Sequence, residues 1–317
     1  MTTRRALVTG ASGFIGRALT AHLVASGWDV AVLVRDGSRF STQARMLIAE
    51  TFNDEALTAA LGDERFDIVF HLAAYGVAPE QRDPKTMFAV NVAGTAAIVR
   101  AARRVGARAL VYAGSSAEYR EAAHGTSIVE DYPLTTKGLY GASKAAGGFW
   151  GGSLALHAGI VFQWVRIFGV FGFGEAPHRL FPAIASKLGK GQPVDLSPGD
   201  QTRDFLHVDD VVAGLTAAGE AAMRGTGDRF NLCSGVPVTV REIACTFADR
   251  MGRPRDLLRF GAIPYRPDEN LWLLGDGSAL RRATGFTPAL TLLGGIDRFL
   301  AELSSSETFA NGSEGWS

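Results

Sequence analysis

The run Thr9-Gly10-Ala11-Ser12-Gly13-Phe14-Ile15-Gly16 follows the apolar segment Ala6-Leu7-Val8 and precedes a helical pattern from Arg17 to Ser26. Strand, glycine turn and helix in that order leave few folds open, because a buried strand must sit directly against a closely packed helix. Gly10 permits the tight turn, Gly13 lets the backbone approach a phosphate, and Gly16 lets the helix pack close to the sheet. The positive end of that helix then faces outward and suits a pyrophosphate. Three glycines at this spacing are weak evidence alone. Here a strand precedes them and a second, Asp29 to Val34, follows the helix, so the turn, with Ser12, Phe14 and Ile15, is expected to bind a dinucleotide.

Strand and helix signals alternate over the first half of the chain. Strand candidates are Ala6–Thr9, Val30–Val34, Ile68–His71, Ala109–Ala113 and Phe162–Ile167, and one alanine-rich helix is expected over Pro84–Val105. Apolar strands separated by helices predict a doubly wound α/β fold, an open parallel sheet covered on both faces, with ligands beyond the carboxyl ends of the strands. The glycine turn, the His71-Leu72-Ala73-Ala74 end and the Gly114-Ser115-Ser116 end should all fall there. From Gly169 glycine and proline punctuation takes over. The expected division is a dinucleotide-binding domain of residues 1–168 and about 206–233, and a smaller C-terminal α/β substrate lobe of about 169–205 and 234–303. The polar stretch Ser304 to Ser317 is expected to be a disordered tail.

The 317 residues are 47% hydrophobic and carry 32 basic against 32 acidic side chains, so nothing suggests a surface for nucleic acid. No apolar run reaches the roughly 20 residues of a membrane helix. Arg4-Arg5 leading straight into the first strand does not read as a signal peptide, and the cytoplasm is the expected address. Cys233 and Cys245 are too few for a disulfide framework, and the scattered histidines form no metal-ligand pattern, so no metal is expected.

The chemistry points to Tyr140-Gly141-Ala142-Ser143-Lys144. A tyrosine and a lysine four apart share one helix face, and an ammonium beside a phenol brings its pKa of about 10 toward the working range. Alone the pair reads as an ordinary surface contact; the dinucleotide turn and the serines ending a strand upstream give it weight.

These stretches together resemble the extended short-chain dehydrogenase/reductases, the NAD(P)-dependent nucleotide-sugar epimerases, dehydratases and 4-ketoreductases. The marks are TGASGFIG (9–16), FHLAA (70–74), NVAGT (91–95), LVYAGSSAEY (110–119), YGASK (140–144) and RDFLHVDDV (203–211), and the similarity spans residues 5 to about 303. The resemblance implies a Rossmann-type domain and a homodimer. Tyr140 would be the acid/base, and Lys144 its tuner and a ribose ligand. Ser115 would hydrogen-bond the reacting oxygen, with Ser116 in reserve, and both would face substrate. Asn91 would hold a relay water, or else make only a local hydrogen bond. Leu72, Ala73 and Ala74 would line the cofactor. Arg203 and Arg266 would grip the diphosphate of a nucleotide sugar, Arg203 alternatively pairing with Asp204 or Asp209. Arg35, at the end of the second strand, favours NADP(H), whereas Asp36 would suit NAD(H) if the strand ran one residue longer.

The chain departs from the resembled pattern in three places. Gly169 and Phe171 stand where relatives carry asparagine and tyrosine, Arg120 where they carry glycine, and Gly147, Gly148, Gly151 and Gly152 interrupt the catalytic helix. That helix commonly makes the dimer contact in relatives, so its glycines suggest close approach of a second copy. Dehydratases add an acid pair after the catalytic serine. Here Ser116-Ala117 fills those places and Glu118 fits only with a one-residue slip. The expected reaction is NADPH-dependent reduction of a nucleotide-linked 4-keto-(6-deoxy)hexose at C4, with NAD-dependent 4-epimerisation as the alternative and 4,6-dehydration less favoured. An NADP(H)-sensing binding protein is the alternative from outside enzymology.

Overall fold

The computed structural model describes residues 3–35, 42–266 and 269–305. Its strands are β1 (Arg5–Thr9), β2 (Asp29–Val34), β3 (Arg45–Ile48), β4 (Ile68–His71), β5 (Ala109–Ser115), β6 (Val161–Ile167), β7 (Gly169–Phe171), β8 (Val194–Leu196), β9 (Thr202–Arg203), β10 (Phe205–His207), β11 (Arg229–Leu232), β12 (Val238–Thr239) and β13 (Leu258–Phe260). Its helices are α1 (Phe14–Ala25), α2 (Asp54–Leu61), α3 (Pro84–Phe88), α4 (Thr95–Arg104), α5 (Leu139–Ala158), α6 (Leu180–Gly189), α7 (Val208–Met223), α8 (Val240–Arg250), α9 (Ser278–Thr284) and α10 (Leu292–Ser305).

Seven strands form one sheet in the order β11-β6-β5-β4-β1-β2-β3, every neighbouring pair parallel. Val8 of β1 lies between Val32 of β2 and Phe70 of β4. The strands are apolar on both faces because both are covered. On one, Leu19, Leu23, Val211 and Leu215 pack from α1 and α7; on the other, Leu57, Ile98 and Ala155 pack from α2, α4 and α5. This is the Rossmann-type α/β architecture expected. No described helix is long and apolar enough to cross a membrane.

Two strands of that sheet were hidden in the sequence. β3 is an edge strand whose Met46 and Ile48 are exposed, so it lacks the buried run of its neighbours. β11 contains buried Asn231, which accepts from Tyr119 Oη at 2.6 Å and donates to Ile128 O at 2.8 Å. The helix expected over Pro84–Val105 is three pieces: α3, a π-helical stretch Ala89–Gly94, and α4. Such widened turns inside helices concentrate at functional sites.

A second core joins Phe181, Ile184 and Leu188 of α6 to Val194 and Leu196 of β8, Ile243 and Phe247 of α8, and Ile296 and Phe299 of α10. α9, expected in this smaller lobe, packs instead on the large sheet, its Leu280 lying in the same cluster as Val211 and Leu232. Of the expected tail, Ser304 and Ser305 end α10, and residues 306–317 lie outside the described residues. Gly169 has a local reason for replacing asparagine. A Cβ there would stand 2.5 Å from Phe205 Cδ1 and 2.6 Å from the Asp204 carbonyl oxygen, because β7 runs tightly beside β10. Phe171 stacks on Phe181 with ring centres 4.2 Å apart, an apolar seat for the position where relatives have tyrosine.

Candidate active site

The carboxyl ends of β1, β4, β5 and β6 converge. Gly10 has φ +71°, and a Cβ on it would stand 2.6 Å from Ala73 N; one on Gly16 would stand 2.1 Å from Gly10 O. Only glycine fits either place, since one joins the turn to the segment after β4 and the other joins α1 to the turn. Gly13 caps α1 without a side-chain hydrogen bond, and the first turn holds no acid. Its N–H groups therefore remain available to an anion. Ser12 and Gly13 are exposed, and Phe14, Ile15, Leu72, Ala73 and Ala74 are half-buried around them. The Leu72 N–H donates to Thr9 O at 3.2 Å, closing the turn onto the end of β4.

Beneath this floor, His71 joins Thr9 Oγ1 (Nδ1, 2.7 Å) to Thr95 Oγ1 (Nε2, 3.1 Å). Burial, with a smaller push from the Lys144 charge, drives His71 down to about 3, so it is neutral at working pH. The end of β1 and the start of α4 are thus tied through one neutral imidazole.

Ser115 ends β5 near the Tyr140 hydroxyl, and its Oγ accepts from Ala117 N at 3.2 Å. Ser116 begins the following 3-10 turn, one residue further on. Tyr140 is half-buried in the first turn of α5. Desolvation pushes its phenol up to about 12; the Ser115 hydrogen bond and the Arg179 charge pull down, and the Glu118 charge pushes up. Lys144 is buried one helical turn on, its ammonium 4.1 Å from the centre of the Tyr112 ring. Burial lowers it to about 8, partly offset by Glu118. Its Nζ has no hydrogen-bond partner among the described residues. An orphaned ammonium and a glycine cradle together fit a dinucleotide, whose ribose hydroxyls supply the acceptors the lysine lacks and whose pyrophosphate matches the helix terminus.

Asn91 lies in the π-helical stretch, wholly buried. Its Nδ2 donates to Tyr75 O (2.8 Å) and Ser143 Oγ (2.9 Å), and its Oδ1 accepts from Tyr75 N at 2.9 Å. Both amide hydrogens are therefore engaged, and the residue ties the segment after β4 to α5.

Two ion pairs escaped the sequence reading. Arg166, next to the carboxyl end of the largely apolar β6, and Glu118 are both buried and 2.7 Å apart. The signal was present, because a charge inside an apolar strand demands a partner. Glu118 therefore points into the protein. Glu175, after β7, is buried with Arg179 Nε at 3.3 Å and Oε2 without a partner among the described residues. Burial pushes Glu175 up to about 7.

Arg203 is half-buried and pairs with Glu269, not with Asp204 or Asp209; its Nη1 donates to Thr202 O at 2.9 Å. Asp204 faces the other way, accepting from Ser234, Gly235 and Gly275 N–H groups, and Asp209 pairs with Arg298. Arg266 is exposed, its carbonyl accepting from Glu269 N at 3.0 Å; Pro267 and Asp268 lie outside the described residues. Arg35 is the first residue beyond β2 and exposed, and Asp36 lies outside the described residues. Arg120 is exposed, its N–H donating to Pro133 O at 2.9 Å.

The α5 glycines serve the protein's own interior. Cβ atoms on Gly147, Gly148 and Gly151 would stand 2.1 Å from Asn91 O, 2.3 Å from the Trp164 ring and 2.8 Å from Thr95 Cγ2. They let the helix approach β6 and the π-helical stretch, whereas the outward face of α5 carries Phe149, Trp150 and Leu156.

The family model described as the NAD dependent epimerase/dehydratase family matches residues 6–233. A UDP-glucose 4-epimerase of Mycolicibacterium smegmatis is 31% identical over 305 residues, covering 92% of this chain and 96% of that protein. A dTDP-6-deoxy-L-talose 4-dehydrogenase (NAD(P)(+)) of Kitasatospora kifunensis is 30% identical over 300 residues, covering 91% and 92%. Among solved structures, the UDP-glucose 4-epimerase of Thermus thermophilus in complex with NAD superposes with a TM-score of 0.84 at 26% identity, covering 95% of this chain and 99% of that one. With the fold, the glycine cradle and the serine–tyrosine–lysine cluster in place, these matches identify the chain as an enzyme of the NAD dependent epimerase/dehydratase family, within the extended short-chain dehydrogenase/reductases.

Proposed function

We propose that the chain reduces a nucleotide-linked 4-keto-6-deoxyhexose at C4 with NADPH. The observation that carries this reading is Tyr140, a phenol that burial holds in its protonated form beside Ser115, which is the state a reduction draws on. The bound nicotinamide supplies hydride to C4. As charge develops on the C4 oxygen, Tyr140 gives it the phenolic proton and the Ser115 hydroxyl donates a hydrogen bond. The Lys144 ammonium holds ribose hydroxyls and favours the phenolate left behind. Arg203 and Arg266 are the proposed diphosphate ligands, with Glu269 standing in on Arg203. Arg35 beyond β2 supports NADP(H), since its guanidinium suits a 2′-phosphate. A homodimer, supported by the apolar outward face of α5, belongs to the same reading.

Glu118 is turned onto Arg166, and Ser116 and Ala117 occupy the places of a dehydratase acid pair, which weighs against 4,6-dehydration. Epimerisation at C4 is the second reading, favoured by the likeness to a UDP-glucose 4-epimerase; it would use Tyr140 as base and then as acid.

The test is NADPH oxidation with a dTDP-linked 4-keto-6-deoxyglucose, beside conversion of UDP-glucose without added cofactor. Oxidation that falls about 10²- to 10⁴-fold in Tyr140→Phe, with NADPH still quenching tryptophan fluorescence, is expected. UDP-glucose conversion with co-purifying NAD would establish the epimerase instead, and NADPH binding with neither turnover would leave a sensor.

A further inference from the structure

The Glu118 carboxylate meets two strands at once. Its Oε2 lies 2.7 Å from Arg166 Nε on β6, its Oε1 accepts from the Ser115 N–H on β5 at 2.9 Å, and Trp164 Nε1 comes within 3.5 Å. The turn it closes presses on the catalytic helix, since a Cβ on Gly141 would stand 1.9 Å from the Ala117 carbonyl oxygen. Behind the turn, Trp164 packs edge-on to Tyr112 with ring centres 6.2 Å apart, and Lys144 stands over that same Tyr112 ring. A buried ion pair is weak evidence of stability, because desolvating both charges costs about what their attraction returns. Its placement under the reacting groups gives it another use.

We infer that Glu118 is a positioning residue for the proposed proton transfer: anchored by Arg166, it holds Ser115 against Tyr140 and is the buried negative charge that Tyr140 and Lys144 face. This rests on the serine–tyrosine–lysine reading of the site.

The charge acts on both partners in one direction. It raises the Tyr140 phenol and offsets part of the burial that lowers Lys144, so each holds its proton more firmly. The other groups facing Lys144 are neutral His71 on β4 and the Tyr112 phenol on β5, which burial pushes far up. Tyr140 also faces Ser115 and Arg179; burial raises the Glu118 carboxyl itself, and Arg166 opposes that rise and favours its charged form. Without the Glu118 charge, the Lys144 ammonium is less favoured and gives up its proton at lower pH. Mere loosening of the turn would do the opposite, since hydration returns a lysine toward its ordinary, higher value.

The chain has five lysines, so protein grown with lysine labelled at the ε-carbon gives a sparse NMR spectrum in which Lys144→Arg assigns the Lys144 signal. The parent is expected to titrate at about 8. Glu118→Gln is expected to titrate at lower pH; an unchanged or upward midpoint overturns the inference. Glu118→Gln/Arg166→Met removes both ions, leaves no unpaired buried charge and keeps the test available if the single variant does not fold. It should move the same way, and the same contrary outcomes apply. The readout needs no sugar substrate, so its failure is distinct from failure of the proposed reduction, which appears as absent NADPH oxidation.

Discussion

Gly147 lies against Asn91 so closely that a Cβ on the glycine would stand 2.1 Å from the asparagine's carbonyl oxygen, with the Tyr112 hydroxyl 2.8 Å away. The contact sets the separation between α5 and the π-helical stretch. Gly147→Ala should therefore destabilise the protein by about 1–3 kcal/mol, because the obstacle is backbone. Gly152→Ala meets nothing nearer than a Phe162 ring carbon at 3.4 Å, an ordinary contact. It should be neutral or stabilising by up to about 1 kcal/mol through helix propensity. Thermal melts of the two variants check the contrast, and equal effects would show that the helix can shift outward.

Lys144 makes a second contrast. Burial holds its folded pKa at about 8, below the ordinary 10.5. Its ammonium therefore costs stability in full below about pH 8. The cost fades as pH rises from 8 to 10.5, where the unfolded chain still binds the proton and the folded one does not. Lys144→Met should melt above the ligand-free parent at neutral pH, with the gap narrowing toward alkaline pH, while its dinucleotide affinity falls. A variant less stable than the parent would show that the Tyr112 contact outweighs desolvation.

Glu175 follows the sign of a raised acid. Its folded pKa is about 7 against an ordinary 4.5, so the folded protein binds the extra proton and loses stability as pH rises between those values. Glu175→Gln removes that loss. Relative to the parent, its melting temperature should improve between about pH 5 and about pH 8. A difference independent of pH would mean that Arg179 neutralises the carboxylate fully.

Much of the architecture was legible because it rests on patterns a linear chain displays. β1, β2, β4, β5 and β6 are apolar runs between helical segments, and the Gly10–Gly16 turn announces its own geometry. β3 was hidden by its edge position, which removes the need for a buried face. The division of Pro84–Val105 was hidden because a π turn arises from what Asn91 must reach, Tyr75 and Ser143, and not from composition. The spacing of Tyr140 and Lys144 suggested a lysine acting on a phenol. In the ligand-free protein the charges acting on that phenol are those of Glu118 and Arg179, contributed by other elements, and only three-dimensional proximity reveals them. The α5 glycines likewise suggested a neighbouring molecule, but their neighbours are Asn91, Trp164 and Thr95 of the same chain.

The π-helical stretch makes the number of residues between β4 and α4 matter as much as their identity. Removing one residue there would restore a regular helix and rotate one flank by about 100° against the other. Asn91 would then swing away from Tyr75 and Ser143, although no side chain had been altered. This segment behaves as a gauge of fixed length, where a single-codon deletion would act like loss of the asparagine itself.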